Sequence, residues 1–443
     1  MSDYIVAIDL GTSHITGIVG EKKTNGTFSI VAYETVETDT CLHRGIIYNS
    51  DNTTTCIDNL LKKLESRLKG DYIDKVYVGV GGQSLRTVDH IEAMEIADGA
   101  SVTEENIAEL KERCKKFKPD IGDVLGIAPP VYYMDGRKDI EADGVICKRF
   151  EAHYKLVTGR AMIRFAVKNC IEAIPEKELA GIVVAPLALA DAVLSPKDKE
   201  LGCALVDFGA GVTSVSVFKD GDLQHLCVIP FGGKLITRDL TSLQLAEADA
   251  EKLKKENGSA ILNKEDEKEH IIIDMEGANR EIKLSDLNAI TEGRVKEIVE
   301  NVYARICDVI AIKQLGAGII VAGGAAELTN LLELLKERCG VKARFSTIQK
   351  GLVEGADEML GNPLYMMAIS LMLKGTEPCV SSRLTAKQGD NKEMLDNENS
   401  PNDKTEAEKT EKPLKSGYEV RPKKNRKSLT ERFGGIFDLF DER

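Results

Sequence analysis

The stretch AIDLGTSHITGIVGE at residues 7–21 decides the fold, because it returns in altered form as LVDFGAGVTSVSVF at 205–218. Both copies share one plan: an apolar strand, an aspartate, one residue, a glycine, a small or hydroxylated turn, and a second strand. Asp9 and Asp207 lie 198 residues apart, a spacing that suits a duplicated α/β domain. Each copy places a carboxylate at a strand end and then a tight turn whose backbone N–H groups and hydroxyls can hold a phosphate. Two such loops facing each other would grip a triphosphate from both sides. The two aspartates would then reach a hydrated Mg²⁺, which keeps several waters and prefers carboxylate and phosphate oxygens. Singly, each copy also reads as an ordinary strand and turn, since Asp and Gly are common turn residues; the matched pair favours the phosphate reading.

Two further elements sit downstream. IIVAGGA at 319–325 is an apolar strand ending in Gly323 and Gly324, where a flat nucleobase or sugar could approach the backbone, with the helical stretch ELTNLLELLKERCG after it. PFGGKLITRDL at 230–240 precedes a helix carrying Glu251 and Lys254, which at i, i+3 share one face. On spacing alone that pair reads as a solvated salt bridge.

Composition sets the bounds. A chain of 443 residues, 42% hydrophobic and 30% charged, predicts two to four globular units, and a net charge of −13 argues against nucleic acid as the main partner. Ten cysteines without a C-x-x-C pair suggest neither zinc nor disulfides and fit a reducing cytosol. No run of about 18 apolar residues predicts a membrane span, and the N-terminus lacks a signal-peptide pattern. Asn25-Gly26 marks a hairpin turn before the strand at 28–36, and strands and helices alternate from 163 to 375. In the insertion-like stretch from about 84 to 162, Thr103 caps a helix whose Ile107, Leu110, Cys114 and Phe117 share a face. Residues 376–417 hold no aromatic residue and are rich in polar and charged types, the composition of a disordered linker.

Together the motifs resemble the actin, sugar-kinase and chaperone ATPase superfamily and, within it, the FtsA family of bacterial division proteins. VAIDLGTSHITGIVGE looks like the phosphate-1 motif, ELGCALVDFGAGVTSVSVF the phosphate-2 region, FGGKLITRDL with EADAEKLKKENGSA the Gly-Gly-x-x-x-Thr-x-Asp signature and ribose helix, and IIVAGGAAEL the adenosine motif. The resemblance implies a duplicated actin-like, ribonuclease H-type α/β fold with two lobes around a nucleotide cleft. Subdomain 1A would span 1–83 and 163–195, 1C 84–162, 2A 196–237 and 311–375, 2B 238–310, with a linker at 376–427 and a terminal amphipathic helix at 428–443. Position by position, Gly11, Thr12, Ser13, Gly209, Gly211 and Thr213 would contact the phosphates of ATP, and Asp9 and Asp207 would order Mg²⁺ through water. Gly232 and Gly233 would border the nucleotide, Glu251 and Lys254 would hold the ribose, and Gly323 and Gly324 would flank the adenosine. The implied partners are the FtsZ C-terminal tail on 2B, further copies of the chain in filaments, the cytoplasmic membrane at the division site, and other division proteins through 1C.

Three departures from the family pattern stand out: Ala210 and Val212 interrupt the phosphate-2 glycines, Ala322 replaces a third glycine, and Ala185 stands where related ATPases carry a water-activating Glu. Without that base, hydrolysis loses about 10²-fold or more, and slow turnover is expected. A helix at 290–306 should bury Ile290, Val295, Ile298, Val302 and Ile306 and turn Arg294 and Lys296 outward toward an acidic peptide. A soluble sugar or acyl-phosphate kinase, or a pilus-assembly or shape-determining relative, are the alternative functions. At the C-terminus Ser428 and Glu431 form a capping box, and Leu429, Phe433, Ile436, Phe437 and Phe440 make one apolar stripe behind Arg421, Lys423, Lys424, Arg426 and Lys427. That stripe could dock on the protein's own body; three Phe and the basic flank favour a membrane.

Overall fold

The computed structural model describes residues 3–38, 41–139, 141–275 and 278–382. The linker expected beyond 382 and the stripe of Leu429, Phe433, Ile436, Phe437 and Phe440 lie outside the described residues.

Two sheets repeat one topology. In the first, Tyr4–Leu10 pairs antiparallel with His14–Lys22, which pairs antiparallel with Phe28–Glu37. On its other side Tyr4–Leu10 runs parallel to Lys75–Val80, and that strand runs parallel to Glu178–Val184. In the second, Cys203–Phe208, Thr213–Lys219 and Asp222–Ile229 form the same meander, with Gly318–Ala322 and Ala343–Phe345 as the parallel strands. The register repeats too: Asp9 lies opposite Thr16, and Asp207 opposite Ser214. Continuous apolar runs such as Ile5–Ile8 are fully buried, as central strands covered on both faces require. The hairpin at Asn25-Gly26 is closed by Gly26 N–H donating to the Lys23 carbonyl at 2.9 Å, with Gly26 at φ +85°.

Helices cover the first sheet. Ser50–Glu65 begins at Asn49, whose side chain accepts from Asn52 N–H at 3.0 Å, and its Leu60 and Leu64 press on Gly17. Pro363–Met372 packs Met372 on Gly20 and Leu371 on Gly79, where the absent Cβ atoms let helix and sheet approach. The buried apolar residues form three clusters. The first joins residues 5–19, 57–80, 163–194 and 348–372; the second joins 204–260 with 287–343; the third, around Leu110, Cys114, Phe150 and Tyr154, lies within the insertion.

That insertion leaves and rejoins the first half of the chain, yet its sheet is edge-paired to the second. Arg86–Glu95 bonds along its length to Arg149–Gly159 and meets Asp222–Ile229 at a single pairing, Arg86 with Cys227. Its helix Glu104–Lys115 starts at Thr103 as expected, the box being closed by Asn106; Phe117 lies past the helix end, its ring 4.1 Å from that of His90.

Three expectations shift. The helix read over 327–340 is a short 3₁₀ turn, Gly324–Glu327, and then Leu331–Cys339, because left-handed Asn330 breaks the run. The helix read over 290–306 starts earlier, as Leu284–Cys307, and leaves Ile290 only partly buried. The linker does not begin at 376: Val380–Ser382 pairs antiparallel with Asp71–Ile73, Cys379 is fully buried, and Cys379 N–H donates to the Tyr4 carbonyl at 2.8 Å.

The close approach at Gly79 predicts a size-dependent coupling. A Cβ there would stand 2.4 Å from Leu371 Cδ1, so Gly79→Ala should cost about 1–3 kcal/mol by overpacking. Leu371→Ala should cost about 2–5 kcal/mol. In urea denaturation the double variant should lose less than the sum of the two; strict additivity would show that the two positions do not share this space.

Candidate functional site

The two repeated carboxylates are brought to one place. Asp9 and Asp207 each occupy the last position but one of a first strand, and both are half-buried. Burial, and then the charge of Asp207, push the Asp9 carboxyl up to about 7; burial alone pushes Asp207 up to about 6. Two carboxylates this uncomfortable in their ionised form are suited to a cation or to a ligand that brings one.

The loops beyond them meet. A Cβ on Gly211 would lie 2.5 Å from Thr12 Oγ1, and Lys234 Nζ donates across the gap to the Thr12 carbonyl at 3.1 Å. The Gly232-Gly233 pair is laid against the second loop: Gly233 N–H donates to the Gly209 carbonyl at 3.0 Å and Lys234 N–H to the Ala210 carbonyl at 2.8 Å. A Cβ at position 232 would sit 2.6 Å from both of those oxygens. Gly323 closes the circle from the third motif. Its φ is +89°, and a Cβ there would stand 2.4 Å from Asp207 Oδ1, whereas Gly324 faces open space. Four motifs separated by up to about 315 residues therefore converge on one place, with glycine at positions 211, 232 and 323, where a Cβ would collide.

Glu251 and Lys254 are not a solvated pair. Lys254 is only 8% exposed, and its Nζ donates to Glu251 Oε2 at 2.6 Å, Thr237 Oγ1 at 2.9 Å and the Gly233 carbonyl at 3.2 Å. Burial draws the ammonium below its usual pKa against the pull of Glu251; burial also opposes ionisation of Glu251, whose bonds from Lys254 and Thr237 still hold it below the carboxylate range. The pair locks the helix Glu247–Asn257 onto Gly233.

Other expected contacts are redirected. Thr213 is fully buried and donates its hydroxyl to the Phe231 carbonyl at 2.8 Å, so its side chain braces the turn instead of facing the cleft. Thr12 is buried too; its Oγ1 accepts from Gly45 N–H at 3.0 Å and its carbonyl from Thr38 Oγ1 at 2.9 Å. Ser13 Oγ lies 3.0 Å from His14 Nδ1, and burial holds that half-buried imidazole below its usual pKa. Arg294 does not project freely: it is half-buried and bonds Asp239 at 2.5 Å as well as Glu297, while exposed Lys296 pairs with Glu292 at 3.2 Å. Ala185 opens the helix Ala185–Val193 as a buried methyl. Lys234 and Gly45 had no signature in the sequence, because each acts through a partner on a distant segment. A cavity of about 670 Å³ lies elsewhere, between the insertion and Phe231, and is lined by Arg86, Ile121, Arg160 and Arg305; none of the cleft residues border it.

The chain is similar to known proteins. The sequence profile of the family described as Cell division protein FtsA matches residues 204–370. The chain is 32% identical over 384 residues to the cell division protein FtsA of Porphyromonas gingivalis, covering 86% of this chain and 80% of that one. It is 28% identical over 379 residues to the cell division protein FtsA of Bacillus subtilis, covering 84% and 83%. Among solved structures, one described as the PilM-PilN type IV pilus biogenesis complex superposes with a TM-score of 0.56 at 16% identity, covering 84% of this chain and all but 1% of that one. At that identity the likeness concerns the fold alone.

The raised carboxyls predict a trade between stability and ligand chemistry. Because the folded state binds protons at Asp9 more tightly than the unfolded chain, the stability this group gives is present below about pH 4 and lost as pH rises toward about 7. Asp9→Asn should therefore stabilise the ligand-free protein, by on the order of 1–2 kcal/mol more at pH 8 than at pH 5. Thermal melts of both proteins at the two pH values check this; an equal gap at both would refute the assignment.

Proposed function

The chain belongs to the FtsA family of cell-division proteins, and from that premise we propose that it is an ATP-binding, actin-like scaffold that ties FtsZ to the cytoplasmic membrane at the division site. The observation that carries the nucleotide part is the convergence of the two Asp-x-Gly loops, the Gly-Gly pair and Gly323 on one cleft. Backbone N–H groups of residues 11–13 and 210–211 hold the phosphates, a role the loops can fill although the Thr12 and Thr213 hydroxyls are engaged elsewhere and Gly209 N–H donates to the Val212 carbonyl at 2.9 Å. Asp9 and Asp207 hold Mg²⁺ through water. Among the described residues no group of three or more His, Cys, Asp or Glu gathers as a metal cage, and a donor set of two carboxylates suits an ion that takes its remaining oxygens from phosphate and water. Glu251 and Lys254 present a pre-ordered pair to the ribose, and the open space at Gly324 receives the base.

The subdomain scheme enters as part of this reading, with 1C as the 84–162 insertion and 2B as 238–310. Closure around ATP favours the protomer that joins filaments and takes the FtsZ tail. Since Arg294 is already bonded to Asp239 and Glu297, exposed Lys296 is the more available of the two cations on that helix. No helix among the described residues is long and apolar enough to cross a membrane. Attachment is assigned to residues 428–443, whose apolar stripe of Leu429, Phe433, Ile436, Phe437 and Phe440 follows five cations. Each such cation adds about 1 kcal/mol near an anionic surface.

Millimolar ATP with Mg²⁺ should raise the melting temperature, since a ligand bound only by the folded state stabilises it by about 2.7 kcal/mol at a hundredfold excess over Kd. Asp9→Ala and Asp207→Ala should remove most of that rise, and a wild-type protein indifferent to ATP would end the nucleotide reading. Turnover without a partner should stay below several per second, because Ala185 supplies no base. Co-sedimentation with anionic vesicles tests the tether. Binding should vanish on deleting 428–443 or on changing Phe433 and Phe437 to Asp, and retention by either variant would exclude this segment as the anchor.

A further inference from the structure

Lys234 joins the two phosphate-facing loops by two different atoms. Its backbone N–H donates to the Ala210 carbonyl at 2.8 Å in the second loop, and its Nζ reaches the Thr12 carbonyl at 3.1 Å in the first. The side chain is half-buried, and no carboxylate among the described residues forms an ion pair with it. The nearby cations do have acidic partners. Lys254 holds one oxygen of Glu251, and Lys255 approaches the other at 3.4 Å.

An ammonium carries three protons, and its bond to Thr12 uses one. Partial burial makes the remaining charge costly unless an anion meets it. A phosphate between the loops would supply that anion, and a charge-assisted bond is roughly twice as strong as one to a neutral carbonyl. A lysine's ammonium also sits on a flexible stem, so it can turn toward an anion while its backbone stays fixed on Ala210.

We infer that Lys234 is a phosphate ligand of the cleft, which makes nucleotide affinity depend on the number of phosphates. This rests on the nucleotide reading above and adds to it a residue outside the Asp and Gly motifs. The role differs from that of Lys254, which is enclosed by Glu251, Thr237 and Gly233.

The test is calorimetric titration of the full chain and its Lys234→Met and Lys234→Arg variants with ATP, ADP and adenosine in the presence of Mg²⁺. Lys234→Met should weaken ATP by roughly 10- to 100-fold, ADP by less, and adenosine by under about twofold, while Lys234→Arg stays within several-fold of wild type. Equal ATP affinity in wild type and Lys234→Met would overturn the inference while leaving the nucleotide reading intact. An equal loss for all three ligands would also overturn it, since that pattern marks a residue that only shapes the cleft. If wild type binds none of the three, the nucleotide reading falls and this assignment with it.

Discussion

The structure depends on one close approach. The loop after Asp9 and the loop after Asp207 come so near that the space a side chain at position 211 would need is already filled by Thr12. Everything around that contact serves it. Gly232 lets a third segment lie flat on the Gly209 and Ala210 carbonyls, and Gly323 lets a fourth pass beside the Asp207 carboxylate. The result is a junction of four backbone segments fixed by hydrogen bonds, with Gly209 N–H on Val212, Gly233 N–H on Gly209 and Lys234 N–H on Ala210.

The cleft is also electrostatically unbalanced. Two desolvated carboxylates with raised pKa share its floor, and a half-buried ammonium crosses it. A chain selected only for stability would replace such groups with apolar ones, since burying charge is costly. Strain of this kind concentrated where glycines crowd is what a binding site for a charged ligand looks like. By contrast, the Glu251–Lys254–Thr237 cluster is nearly self-satisfied and holds its helix in place.

The insertion illustrates how sequence continuity and spatial continuity part company. Residues 84–162 begin and end beside first-half strands, yet their sheet continues that of the second half through Arg86 and Cys227. A single pairing is a narrow seam, which lets the insertion keep its own core around Leu110, Phe150 and Tyr154.

Short-range chemistry was legible from the sequence alone. The paired Asp-x-Gly turns, the hairpin at Asn25-Gly26, the Thr103 cap and the buried runs at Ile5–Ile8 and Ile319–Val321 all depend on neighbours within a few residues, and all appear in the structure. Tertiary structure decided the rest. Lys254 looks like half of a surface pair until Gly233 and Thr237 fold over it, Arg294 looks free until Asp239 is beside it, and Thr213 looks like a phosphate donor until the Phe231 carbonyl takes its hydroxyl. Residues 376–382 read as linker until Asp71–Ile73 offers them an open strand edge. In each case the deciding partner lies between 17 and about 300 positions away along the chain. A residue's propensity states which bonds it can make, but the energy of burying it is set by whichever group the finished fold places against it.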